Sequence, residues 1–257
     1  MKICVLASGS GGNSTFIHVN NKKILIDAGT TMTNIEKKLK SIDESISNID
    51  YIFISHTHSD HTDALEVIIK KNKPYICLSN AMLNDLPYLN DYENLLIHDN
   101  DLLIEDIKIE LIKTSHDVSD SRGFIISYDN KSLVYITDTG YINSRYFRKI
   151  SNKNVYIFES NHDPEMLIKG KYPKWLQARV LSDVGHLSNE YASAYLAKLI
   201  GPNTKKVILA HLSKENNKEE IALNKFFETM SNSNIDFKNV VVAKQNEISE
   251  VIQLWLK

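Results

Sequence analysis

The stretch FISHTHSDHTDAL, residues 53–65, decides how the rest of the chain is read. It continues the apolar run YIFI and carries His56, His58, Asp60 and His61 within six positions. His56 and His58 alternate, so an extended backbone points both the same way. Asp60 and His61 fall at the start of a helical pattern in which Leu65, Ile68 and Ile69 share a face. One short turn behind a buried strand thus presents four side chains able to ligate a metal. Three imidazoles and a carboxylate crowded there carry a desolvation cost that a bound divalent cation offsets. A solvated polar turn has no need of that density.

Upstream, residues 2–6, 15–19 and 23–26 read as strands, the last two joined by a hairpin turn at Asn20-Asn21. Ile35, Leu39 and Ile42 then predict a helix capped by Thr31 or Thr33, and residues 51–54 a short buried strand. Downstream, a helix is expected over 60–71. From 95 to 137 the pattern is almost entirely strand: LLIH, IKIELIKT, GFIISYD and SLVYIT, with a turn at Asp129-Asn130. After Asn143 helical character returns. Strands at 154–159, 206–210 and 240–243 then alternate with helices at 189–199 and 218–230. Grouped strands with helices at both ends predict an α/β (α+β) protein, two packed sheets with helices outside, in a four-layer αββα sandwich.

The 257 residues contain no linker, repeat or low-complexity run, which predicts a single domain over 1–257. A formal charge of -2 provides no bulk attraction to nucleic acid, so such binding requires a local patch. Cys4 and Cys77 lie in apolar runs and read as core residues rather than a disulfide, which suits a reducing compartment. Only five apolar residues lie between Lys2 and Ser8, too few for a signal-peptide core, and no run reaches membrane length. The expectation is a cytoplasmic protein with no membrane partner.

His116, Asp138 and His211 each sit just past a strand-like run, where strand ends on one rim can converge. His18 and His98 lie within strand-like runs and read as structural.

HTHSDH, followed in order by His116, Asp138 and His211, resembles the motif signature of the metallo-β-lactamase superfamily of binuclear metal hydrolases. Within it, SGSGGNS (8–14), ESNHD (159–163) and GHLSNE (185–190) followed by ILAHLS are similar to the YycJ (WalJ) branch of bacterial nucleases. The last two segments are also similar to tRNA-processing RNase Z, although here the serine falls one place later, in His186-Leu187-Ser188. The resemblance implies that His56, His58 and His116 hold one metal, that Asp60, His61 and His211 hold the second, and that Asp138 bridges them. Asp60, His186 and Glu159 are the catalytic residues it implies. Two cations about 3.5 to 4 Å apart activate water, clamp a phosphoryl oxygen and stabilise developing charge. All seven ligands are nitrogen or oxygen, compatible with zinc, manganese or iron, and the resemblance points to manganese or zinc. Asp27, in LIDAG, also matches a superfamily position and reads as a carboxylate that either supports a ligand from behind or braces its loop, not as a ligand itself.

Phosphodiester cleavage expels an alkoxide, a poor leaving group that needs an acid. His186 fits that role, with Glu159 placed to orient its ring or raise its pKa. The alternative is a helix-initiating residue bound only to backbone. In the opening loop, Ser8, Ser10, Asn13 and Ser14 could bond phosphate oxygens beside exposed backbone N–H groups, or form a plain turn. The segment 166–181 carries Lys169, Lys171, Lys174 and Arg179, interleaved with Tyr172 and Trp175 and without an acid. It could track a phosphate backbone and stack bases, or be an amphipathic stretch with Trp175 in the core.

The function expected is a binuclear metal-dependent phosphodiesterase acting on nucleic acid, with DNA as partner and 5′-to-3′ exonuclease activity implied by the resemblance. Two other readings stand beside it. One is a small-molecule hydrolase of the same superfamily acting on a thioester, lactone or cyclic phosphodiester; the other is a non-catalytic regulator that keeps metal for stability. The complete ligand set argues against the regulator, and His186 with the Lys/Trp segment against the small-molecule enzyme.

Overall fold

The computed structural model describes residues 1–254, so the last three positions of the expected 1–257 domain lie outside the described residues. The strands are β1 (Lys2–Ala7), β2 (Ser14–Val19), β3 (Lys22–Ile26), β4 (Tyr51–Phe53), β5 (Tyr75–Leu78), β6 (Leu95–Ile97), β7 (Leu102–Ile104), β8 (Ile107–Lys113), β9 (Arg122–Tyr128), β10 (Lys131–Ile136), β11 (Val155–Glu159), β12 (Lys206–Ala210), β13 (Val240–Val242) and β14 (Ile252–Gln253). They form two seven-stranded sheets, ordered β14-β1-β2-β3-β4-β5-β6 and β13-β12-β11-β10-β9-β8-β7. The chain divides into two compact units. The first comprises Met1–Glu110, Val118–Ser121 and the chain from Lys244 onward; the second comprises Leu111–Asp117 and Arg122–Ala243.

In the first unit, β2 and β3 form the expected hairpin, with Asn20 and Asn21 left-handed at φ 44° and 60°, the conformation that asparagine tolerates in such turns. β3, β4 and β5 run parallel, and helix α1 (Met32–Lys40) makes the crossover from β3 to β4. Thr31 is its cap, its hydroxyl accepting from the Asn34 amide. Ile35 and Leu39 bury its apolar face among Leu25, Ile52, Leu65 and Ile68.

The single helix expected over 60–71 is two short ones, α2 (Ser59–Thr62) and α3 (Leu65–Lys71). The break has a backbone cause. The His61 carbonyl accepts from the Ala28 amide at 2.9 Å, and the Ala64 amide donates to the Ala28 carbonyl at 2.9 Å. Groups that would continue the helical ladder are thus taken by the loop after β3. Cys4 and Cys77 are buried and unbridged, as expected of core residues.

In the second unit β9 and β10 form a hairpin through the left-handed Asp129, and β10 to β13 run parallel. The core gathers Val134, Tyr156, Phe158, Leu196, Leu209 and Phe226. Tyr156 is buried with its hydroxyl satisfied by the carbonyls of Ile150 and Leu199. Helices α4 (Asn80–Asp85) in the first unit and α5 (Phe147–Ile150), α6 (Pro164–Lys169), α7 (Lys174–Val180), α8 (Asn189–Leu199) and α9 (Glu219–Asn232) in the second complete the set. Ser188 caps α8, accepting from the Tyr191 amide. Sequence periodicity did not anticipate α4, β14, α6 or α7, whereas β7 lies inside the stretch 95–137 expected to be strand. No helix among the described residues is long and apolar enough to cross a membrane.

Candidate metal centre

Parallel neighbours end on the same edge of a sheet, and both units use that edge. In the first, Ile26 pairs with Phe53, so the residues just beyond these strand ends meet. Asp27 Oδ1 accepts from the Ser55 amide and Oδ2 from the Ser55 hydroxyl, both at 2.8 Å. Asp27 Oδ2 also lies 2.8 Å from His61 Nδ1, with both side chains fully buried. That contact places a proton on Nδ1 and leaves Nε2 to act as an acceptor. Two acceptors then converge on one electropositive group: Asn13 Nδ2 is 2.9 Å from His61 Nε2 and 3.3 Å from Asp60 Oδ2. His56 Nε2 and His58 Nδ1 face each other at 3.1 Å. Two nitrogens sharing a tetrahedral cation would stand about 3.3 Å apart, so this pair fits a metal.

The opening loop supports this cluster from below. A Cβ on Gly12, at φ +133°, would come 2.5 Å from the Gly29 carbonyl, and one on Gly29 would come 1.6 Å from the Asp60 carbonyl. Backbone is stacked on backbone, with no room for a side chain between. Within SGSGGNS, Ser8, Asn13 and Ser14 are buried and Ser10 is exposed. Asn13, expected to face substrate, has its amide on Asp60 and His61.

In the second unit, Asp138, Glu159 and His211 lie at the ends of β10, β11 and β12. Asp138 and His211 have φ of 54° and 57°, and Asp27 has 63°. Left-handed backbone at a non-glycine residue costs about 1–2 kcal/mol, and here it turns each side chain back toward the strand-end rim. One ligand atom from each of Asp138, Glu159, His186 and His211 lies within 4.8 Å of the others. Glu159 Oε1 is 2.8 Å from His186 Nδ1 and 2.9 Å from His211 Nδ1. Its other oxygen accepts from the amides of Thr139 and Leu187 at 2.9 and 3.1 Å. Burial alone would raise this carboxyl; the charge and hydrogen bond of His186 and the hydrogen bond of His211 outweigh it and hold it down at about 2. With Nδ1 of His211 on Glu159, its Nε2 turns to Asp138 Oδ1 at 3.4 Å. His116 stands beside them, Nε2 4.0 Å from Asp138 Oδ1 and Nδ1 3.3 Å from the Gly185 carbonyl.

The sequence reading missed Ser55, Asn161 and Asp117. Asn161 Nδ2 donates to the His211 carbonyl at 2.9 Å, and Asp117 is gripped by Arg179. Ser55 and Asp117 each adjoin a histidine expected to be a ligand, the one signal that could have found them. In the Lys/Trp segment, Lys169 pairs with Glu165, Arg179 with Asp117, and Lys174 Nζ lies 3.2 Å from Gln177 Oε1. Lys171 is exposed, and Trp175, at 69% exposure, is outside the core. His98 is buried edge-on against Phe53, a structural place.

Buried His/Asp clusters of this kind are typical of a binuclear metal site, and the comparisons with known proteins agree. A model of the beta-lactamase superfamily domain matches residues 22–212. Exodeoxyribonuclease YycJ of Bacillus anthracis is 36% identical over 223 residues, 85% of this chain and 84% of that protein. Exodeoxyribonuclease WalJ of Streptococcus pneumoniae serotype 2 (strain D39) is 35% identical over 253 residues, 92% of each. The crystal structure of the metallo-beta-lactamase fold protein YhfI from Bacillus subtilis superposes with a TM-score of 0.73 at 17% identity, covering 96% of this chain and 98% of that one. The fold is therefore the expected one, and the chain belongs to the metallo-β-lactamase superfamily as a homologue of the YycJ/WalJ proteins.

Proposed function

We propose that this chain is a binuclear metal-dependent phosphodiesterase that degrades DNA as a 5′-to-3′ exonuclease. The observation that carries the reading is Glu159, whose single oxygen Oε1 holds both His186 and His211. Two histidines, one buried and one partly exposed, are thereby fixed through Nδ1 to one buried anion, each with Nε2 turned away from it. The names of relatives about 35% identical over most of the chain, both exodeoxyribonucleases, support DNA as substrate.

In this reading His56, His58 and His116 would hold one cation and Asp60, His61 and His211 the other, with Asp138 a shared ligand. Manganese or zinc suits the nitrogen and oxygen donors. When bound, the two cations neutralise the phosphoryl group and lower the pKa of water. Asp27 keeps His61 in the tautomer whose Nε2 is a donor of electrons, and Glu159 does the same for His211. His186, with Nδ1 on Glu159 and a side chain 18% exposed, presents Nε2 as the acid for the departing sugar oxygen. Lys171, Lys174 and Trp175 carry the strand, with Lys169 and Arg179 adding charge beside their acidic partners, and Ser10, exposed in the opening loop, borders the substrate. The family match from 22 to 212 supports one working domain, and two unbridged cysteines support the cytoplasm.

Metal-loaded protein incubated with end-labelled single- and double-stranded DNA and RNA tests this. Mononucleotides released progressively from the 5′ end of DNA are expected. Intact nucleic acid beside hydrolysis of a thioester, lactone or cyclic phosphodiester would replace the reading with a small-molecule hydrolase.

A further inference from the structure

The loops around Asp138 and His186 leave large apolar side chains in solvent that no step above uses. Tyr141 is 41% exposed, Val184 42% and Tyr191 64%. Tyr141 follows Asp138 by three positions and is tied to the same framework. The Thr139 hydroxyl donates to the Tyr141 carbonyl at 2.7 Å, and the Thr139 amide to Glu159 Oε2 at 2.9 Å. Gly140 lies so close to the neighbouring loop that a Cβ there would come 2.3 Å from the Asp183 carbonyl oxygen. Tyr141 and Val184 therefore branch from two loops in backbone contact.

The second loop is a tight turn, closed by the Gly185 amide on the Ser182 carbonyl at 2.9 Å and by the His186 amide on the Val180 carbonyl at 3.0 Å. Val184 is held two residues before His186. Tyr191 approaches from α8, one turn before Tyr195 on the same helical face. The Tyr195 hydroxyl accepts from the Ile142 amide at 3.3 Å, which fixes that face against the residue next to Tyr141. Asp183 and Glu190, exposed beside Val184 and Tyr191, are acidic, and the basic Arg179, whose carbonyl packs against Gly185, has its guanidinium held by Asp117, so these apolar side chains are not flanked by a free cation for phosphate. The part of a DNA strand that suits two tyrosine rings and a branched aliphatic is a nucleobase.

We propose that Tyr141, Tyr191 and Val184 form a platform on which the base adjoining the scissile phosphate stacks. This rests on the nuclease reading and extends it: the platform is indifferent to base identity and requires an unpaired terminal base, so the substrate end must fray before cleavage.

The test compares Tyr141→Ala and Tyr191→Ala with their Tyr→Phe counterparts on DNA with an ordinary or an abasic nucleotide beside the scissile bond. Each alanine variant should raise KM about 5- to 100-fold on ordinary DNA, the range for one lost base stack. On abasic DNA the change should be under about twofold, and the phenylalanine variants should behave as wild type on both. Equal losses on both substrates, or phenylalanine variants as poor as alanine ones, would overturn the platform. A strand ending in 2-aminopurine with an uncleavable methylphosphonate linkage gives a second readout without turnover. Quenching by wild type but not by the alanine variants supports stacking, and no quenching by wild type refutes it. Because this signal needs no cleavage, it separates failure of the platform from failure of the nuclease reading.

Discussion

Arg179 and Asp117, 62 residues apart, meet through two hydrogen bonds, Nε to Oδ2 at 2.5 Å and Nη2 to Oδ1 at 2.9 Å. This fork ties α7 to the loop that presents His116, whose Nε2 is 3.7 Å from the same carboxylate. The residue that the sequence offers as a phosphate contact is thereby also a clamp on the loop of His116.

The Arg179 hydrogen bonds hold the Asp117 carboxyl below the usual carboxylate range. A depressed folded-state pKa contributes stability that is present above the unfolded value and lost as pH falls through the folded one. Thermal melts should therefore show Arg179→Ala less stable than wild type at neutral pH, with the gap closing below about pH 4. A gap that does not change with pH would exclude the pair as its source.

Asp27→Asn keeps a residue that tolerates the left-handed backbone but sets an amide against the Nδ1 proton of His61. The ring then loses its fixed tautomer. Metal affinity should fall about 10- to 100-fold with the fold intact, measured by competition with a chromophoric chelator. Unchanged affinity would make Asp27 a purely structural carboxylate.

At Gly29 an added methyl would sit 1.6 Å from the Asp60 carbonyl, a backbone atom that cannot swing away. Gly29→Ala should cost about 3 kcal/mol or more in chemical denaturation. Gly11→Ala is the control, because its nearest neighbour is the tip of the Gln245 side chain. That change should stay within about 0.5 kcal/mol.

Asp138→Asn removes the charge that offsets repulsion between two nearby dications while respecting the backbone at φ 54°. Elemental analysis should find fewer than two ions per chain, together with lost turnover. Two retained ions and normal activity would remove Asp138 from the ligand set.

His186→Ala should lower the rate on DNA by about 10²-fold or more, the typical size for one positioned acid. On bis(p-nitrophenyl) phosphate, whose phenolate departs without help, the loss should be far smaller, and both metals should stay bound. Equal impairment on the two substrates would assign His186 to positioning.

Local density made the first cluster readable: His56, His58, Asp60 and His61 occupy one turn, so their company is visible without any tertiary knowledge. His116, Asp138 and His211 were legible as strand-end residues because a strand's end is a local event. Partners brought together by pairing across the sheet were not. Asn13 on Asp60 and His61, Arg179 on Asp117 and Asn161 on His211 each join residues nearly 50 or more positions apart, with no periodicity to mark them. The break in the helix after His61 was hidden for the same reason, since Ala28 lies outside any window that covers 60–71. The helices at Pro164–Lys169 and Lys174–Val180 escaped because a run of lysines with scattered aromatics has a charge pattern stronger than its apolar one.

The shared grip of Glu159 on His186 and His211 also sets a timetable for synthesis. The two histidines follow Glu159 by 27 and 52 residues, so a chain leaving the ribosome shows the carboxylate long before either imidazole exists. Until β12 aligns beside β11 and carries His211 to the rim, burying Glu159 leaves it short of a partner and is opposed by the full cost of drying a charge. Pairing over such separations is slow because loop closure precedes any gain. The reactive rim is thus among the last parts of its unit to dry, and a nascent or truncated chain ending before His211 would keep that edge wet and unable to act on a passing nucleic acid.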